Sequence, residues 1–172
     1  MMTESVVYVI DFLPRRVPGK SAGRYFSVEA HFSEPGRIST LYRAFADIVL
    51  RLYCCYDIAI TDGDGWVADP APSLLEKKIL DCAGHGFLNV LLPGENALIA
   101  LNGGDLYMTL YAPGKELLRT VKQLASGKCL FVRMGMALRY AAMIKNARGS
   151  RAAGVFCLAY CASLIDNYTA LW

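Results

Sequence analysis

Cys82 and His85 stand three residues apart, and a thiol beside an imidazole is the pairing that nucleophilic catalysis employs. A spacing of three across a helix end matches no local signature, because enzymes of this kind bring the two groups together from distant positions. Cys157 and Cys161 are four apart and would share a helix face, yet no second pair and no nearby histidine completes a zinc set. The segment Asp62-Gly63-Asp64-Gly65 opens like a calcium loop. Its twelfth position is Ser73, where an EF-hand needs a bidentate glutamate. Asn102-Gly103-Gly104-Asp105 lacks the lysine of a phosphate-binding loop and sits between two strand patterns instead of opening a helix. His31 falls within an alternating run and has no nucleophile near it in sequence. No catalytic residue, metal site or cofactor is therefore assigned.

The elements that would carry these residues follow from periodicity. Between Gly86 and Arg133 the chain reads as three strands in a meander, a helix and a further strand. Leu88, Val90 and Leu92 oppose Phe87, Asn89 and Leu91, and Pro93 to Asn96 make a turn. Ala97 to Leu101 is continuously apolar, as a central strand covered on both faces should be. Asn102 to Asp105 is a hairpin turn, and beyond it Leu106, Met108 and Leu110 oppose Tyr107, Thr109 and Tyr111. A helix from Glu116 carries Leu117, Val121 and Leu124 and stops at Gly127. Cys129 to Met134 alternates as the closing strand.

Ahead of the meander, Ser5 to Leu13 reads as a strand before Pro14, and the alternation of Arg24 to Phe32 predicts a second, half-buried strand. Ser39 or Thr40 is placed to cap a helix whose stripe is Leu41, Phe45, Ile48 and Leu52. Asp57 to Thr61 is a short strand. Ser73 and Glu76 have the spacing of a capping box, opening a helix with Leu75, Ile79 and Cys82 inward.

These patterns make the fold class α+β: a mixed, mainly antiparallel sheet with a three-strand meander at about 86–112 packed against helices. Residues 1–135 form the α+β domain, and residues 136–172 read as a helical extension of it. The extension is alanine-rich, basic in its first half and apolar all round from Ala152 to Ile165, which implies burial in the core or in a homo-oligomer interface.

Of the 172 residues, 55% are hydrophobic and 19% charged, which excludes a disordered chain. The longest apolar runs fall short of the ~20 residues that span a bilayer, and the amino terminus lacks the basic-then-apolar order of a secretory signal. A cytoplasmic protein with reduced, buried thiols at Cys54, Cys55, Cys82, Cys129, Cys157 and Cys161 is expected. Up to residue 132 there are 13 basic against 14 acidic side chains; from 133 onward five basic residues face Asp166 alone. Without interleaved aromatics or a binding motif, that basic tail does not indicate nucleic acid.

The stretches Asn89–Pro93 (NVLLP), Asn102–Pro113 (NGGDLYMTLYAP), the helix after them and Leu130–Arg133 (LFVR) together resemble bacterial immunity proteins. These are small cytoplasmic α+β proteins that neutralise toxins delivered by type VI secretion or contact-dependent inhibition. The resemblance implies a one-to-one inhibitor of a cognate toxin protein, without cofactor, membrane or chemistry of its own. The partner-binding residues expected on that reading are Asp62, Asp64, Trp66 and Asp69, an acidic loop around an aromatic side chain, with Tyr107 and Tyr111 as aromatic anchors. Two other classes compete with it: an enzyme assembling Cys82 or Cys129 with His31 or His85, and a homo-oligomeric scaffold joined through the apolar tail.

Overall fold

Strand β5 (Ala97–Asn102) is the middle of a seven-stranded sheet, and its run Ala97 to Leu101 is buried throughout. A computed structural model describes residues 6–135 of the chain. On one side of β5 lie β4 (Phe87–Leu92), β2 (Ala59–Thr61) and the two-residue edge strand β3 (Val67–Ala68). On the other lie β6 (Tyr107–Tyr111), β1 (Val7–Asp11) and the opposite edge, β7 (Phe131–Met134). Every pairing is antiparallel, so the sheet is not mixed among the described residues. The meander is β4-β5-β6, and β1 is inserted between β6 and β7.

Three helices cover one face of this sheet. Helix α2 (Pro35–Tyr53) buries Ile38, Leu41, Tyr42, Phe45, Ile48 and Leu52, a stripe at helical spacing that packs on Ile10, Ile60, Val90, Ile99 and Met108. Helix α3 (Pro72–Asp81) adds Leu75 and Ile79, and α4 (Lys115–Ser126) adds Leu117, Val121 and Ala125. The Tyr42 hydroxyl crosses this core to donate a 2.7 Å hydrogen bond to the carbonyl of Asn102. It ties α2 to the β5–β6 turn.

Three further sequence expectations are corrected. Residues 24–32 do not form a strand: Ala22–Phe32 is helix α1. Both edges of β1 are occupied, by β6 and β7, so no ladder is open to a hairpin partner. As a helix the segment turns Tyr25, Glu29 and Phe32 inward at i, i+4 and i+7, with Tyr25 donating to Glu29 at 2.8 Å and Phe32 stacked on Phe12. Helix α2 starts at Pro35, which suits a first helical position, so Ser39 and Thr40 lie inside it and donate to the carbonyls of Pro35 and Gly36. The capping box at Ser73 does not form. Helix α3 also starts with proline, at Pro72, and has Ala71 as its cap residue. The helical extension at 136–172 lies outside the described residues.

Candidate functional site

The loop between β2 and β3 is held at the sheet edge by its own backbone. Gly63 and Gly65 take positive φ values of 118° and 121°, a region open to glycine at little cost. The amide of Gly63 donates to Thr61 Oγ1 at 3.2 Å, and the amide of Asp69 donates to the Ile58 carbonyl at 2.9 Å. Asp62 is ion-paired with Lys78 on α3, and the hydrogen bond from that ammonium holds the carboxyl below its ordinary pKa. Asp64 and Asp69 stand exposed. So does Val67, at 46%. The expected acidic loop is thus an ordered, anionic, partly apolar edge.

Trp66 turns back from that loop onto the other face of the sheet, the one without α2, α3 and α4. There it packs against the small buried cluster made of Val7, Leu98, Ala100 and Tyr111. The fold therefore places Trp66 and Tyr111 in one apolar cluster on this face, although 45 positions separate them in sequence. Tyr111 is buried at 6% exposure, while Tyr107, two turns of the pleat back on the same face, is half-buried. Asp62, Asp64 and Asp69 remain at the edge, away from the two tyrosines' strand: β2, β4 and β5 lie between β3 and β6.

A second polar feature has no counterpart in the sequence reading. Asp11, buried on β1, pairs with Arg133 of β7 across 122 positions, and also accepts from the amide of Leu13 at 3.0 Å. Tyr25 of α1 lies close enough to feel the charges of Asp11 and Arg133. Burial, the bond to Glu29 and the nearby Asp11 carboxylate all push the Tyr25 hydroxyl above its ordinary pKa, against a smaller opposing effect of Arg133. Burial also raises the Asp105 carboxyl, although Asn102 Nδ2 donates to it at 3.3 Å. Charge links α1 to β1 and β7, and to the turn before β6. The only local hint is a carboxylate ending the apolar strand VYVID.

The expectation of buried thiols is corrected for three of the four described cysteines: Cys54, Cys55 and Cys129 are exposed and Cys82 is buried. Cys82 is buried, donates to the Lys78 carbonyl, and burial pushes its thiol up to about 11, the wrong direction for a nucleophile at neutral pH. His31 is an exposed residue of α1, 3.6 Å from Glu34. His85 is exposed in the turn after α3, and Cys129 lies exposed at a positive φ of 57° before β7. Among the described residues no group of three or more histidine, cysteine or carboxylate side chains is placed to hold a metal ion. No described helix is long and apolar enough to cross a membrane.

Comparison of the chain with family models, with curated proteins and with solved structures yields no match.

Proposed function

We propose that this protein is an immunity protein, binding a basic cognate toxin domain one to one through the ordered loop of residues 62–69. The observation that carries the reading is that loop. Three carboxylates, Asp62, Asp64 and Asp69, flank in sequence an exposed Val67 on an edge strand of only two residues and the half-buried Trp66 just before it. Backbone bonds at both ends and the Asp62–Lys78 pair fix the loop before any partner arrives, which lowers the ordering cost of association. Its exposed carboxylates, Asp64 and Asp69, steer a cationic partner and speed encounter. Val67 and the indole edge supply the apolar centre that a binding patch needs. The resemblance of residues 89–133 to immunity proteins supports the same class.

The test is growth rescue. Cells expressing the toxin domain encoded in the neighbouring reading frame should grow when this chain is co-expressed, and should lose that protection when Asp64→Lys and Asp69→Lys are introduced together. Protection that survives the double charge reversal removes the loop from the interface. Failure of the unaltered chain to protect or to bind that domain removes the immunity reading altogether.

A further inference from the structure

Strand β3 presents one residue's backbone to the outside of the sheet. Its register pairs Ala59 with Ala68 and Ile60 with Val67, so Ile58 stands opposite Asp69. The amide of Asp69 donates to the Ile58 carbonyl at 2.9 Å, which makes these two a hydrogen-bonded pair of the ladder. Along an antiparallel ladder such pairs alternate with pairs whose amides and carbonyls point outward. Val67, opposite Ile60, is therefore turned toward β2, and the amide and carbonyl of Ala68 point away from it. Among the described residues no strand lies beyond β3, and Ala68 is exposed.

The opening is narrow. Positive φ values of 121° at Gly65 and 45° at Asp69 end the extended backbone on either side, so an incoming chain can pair here over one bridge and in one register. Charge decides what can approach. Asp64 and Asp69, both exposed, bracket Ala68 in sequence. A second copy of this chain would bring the same two carboxylates against them, and like charges facing each other across a ladder oppose pairing. A cationic chain meets attraction instead. Side chains alternate between faces, so Val67, at 46% exposure, offers an apolar contact beside the bridge on one face of the sheet.

We propose that the toxin domain adds an extended segment carrying lysine or arginine to the outer edge of β3, exchanging backbone hydrogen bonds with Ala68. The proposal rests on the edge-loop interface argued above and supplies the contact that sets its register. The carboxylates draw the partner in, and the amide and carbonyl of Ala68 fix where it stops. Nothing in the fold has to open for this, because Val67 and Asp69 keep their own bonds to β2.

Hydrogen exchange resolved by residue, on the free chain and on its complex with the catalytically silenced toxin domain of the neighbouring reading frame, tests this. In the free chain the Ala68 amide should exchange about tenfold or more faster than that of Val67 after correction for intrinsic rates, and in the complex it should slow by about tenfold or more. Ala68→Pro deletes the outward amide and spares the bonds between β2 and β3, since an edge strand accepts proline where its N–H faces water. It should raise the dissociation rate of the complex about tenfold with the urea midpoint unchanged, while Ala68→Ser, which keeps the amide, should bind like the parent. If the proline variant is destabilised, exchange in the unaltered chain still decides. An Ala68 amide as protected as that of Val67 in the free chain overturns the proposal without reference to any toxin. An unaltered chain that does not bind the toxin domain overturns the edge-loop reading and this proposal with it. A complex that is lost on Asp64→Lys with Asp69→Lys, yet tolerates Ala68→Pro and leaves the Ala68 amide fast, overturns this proposal alone. So does dimerisation of the free chain that Ala68→Pro abolishes, the edge then belonging to a second copy.

Discussion

Replacing Gly103 by alanine probes the junction on which the meander closes. An ideal Cβ at residue 103 would lie 2.4 Å from His85 Cα, 2.5 Å from His85 C and 2.7 Å from Gly86 N. All three are backbone atoms, so no side chain can swing away to make room. Moving the 84–86 turn aside would also strain the 2.7 Å bond from the Gly103 amide to the Gly86 carbonyl and the 3.1 Å bond from Gly104 to the Cys82 carbonyl. Overpacking of this kind costs about 1–3 kcal/mol, and a weakened buried hydrogen bond adds about 1 kcal/mol. The expected loss is therefore ~2–4 kcal/mol, which lowers the melting temperature by roughly 5–12 °C for a domain of this size. Urea titration followed by far-UV circular dichroism measures it, with an unchanged m-value showing that the denatured state is not the cause. Gly36→Ala is the matched control. It lies in the first turn of α2 with nothing within 4 Å of its Cβ, and should be neutral or stabilising by ~0.5 kcal/mol. If Gly103→Ala stays within ~0.5 kcal/mol of the parent, the turn after β5 does not pack against residues 84–86 and the docking of α3 on the meander is misdescribed.

Other perturbations have equally definite outcomes. Tyr42→Phe leaves the Asn102 carbonyl without its buried donor and should cost about 1–2 kcal/mol in the same titration, whereas an unchanged midpoint would mean that the bond contributes nothing. Arg133→Met strands the Asp11 carboxylate in a buried position, at an expected cost of ~2–4 kcal/mol, and adding Asp11→Asn should recover part of it; strict additivity of the two would deny their pairing. Asp62 and Asp105 predict opposite pH behaviour. Lys78 lowers the pKa of Asp62, so its stabilising contribution is present above the unfolded carboxylate value and is lost as pH falls through the folded one. Burial raises the pKa of Asp105, so its contribution is fully present below the unfolded value and is lost as pH rises through the folded one. Asp62→Asn should therefore be more damaging at pH 7 than at pH 3, and Asp105→Asn less damaging at pH 7 than at pH 3. Parallel stability–pH curves for the two variants would contradict both assignments.

The meander was legible because two local signals agree there: strict alternation within each strand, and turn residues between them. Asn96 and Gly104 do take the positive φ values, 51° and 82°, that those turns require. Centrality of β5 was also legible, since only a strand covered on both faces supports Ala97 to Leu101 without a polar residue. Helix α1 was not. Tyr25, Glu29 and Phe32 fit a helical stripe, while the same nine residues alternate well enough for a strand, and the deciding fact is that β1 has no free edge. That fact depends on β7, more than a hundred positions away. Helix starts were misplaced for a local reason: proline at a first helical position outcompeted the serine and threonine caps a few residues further on. Of the candidate site, the carboxylates and Trp66 could be seen as a cluster because they are close in sequence. Their sorting could not. Lys78 takes Asp62, the second face takes Trp66 and Tyr111, and only Asp64 and Asp69 stay open beside Val67. The Asp11–Arg133 pair was out of reach for the same reason, as its members meet only once β1 enters the sheet between β6 and β7.

A one-to-one complex made through the acidic edge loop is tested best by light scattering of the full chain mixed with the catalytically silenced toxin domain of the neighbouring reading frame. Binding kinetics are recorded on the same mixture at two salt concentrations. The expected result is a complex of one copy of each, an association rate that falls as salt rises, and a further fall in that rate for Asp64→Asn with Asp69→Asn. A mixture that elutes as two separate species, or a complex whose association rate is indifferent to both salt and the two substitutions, would contradict it.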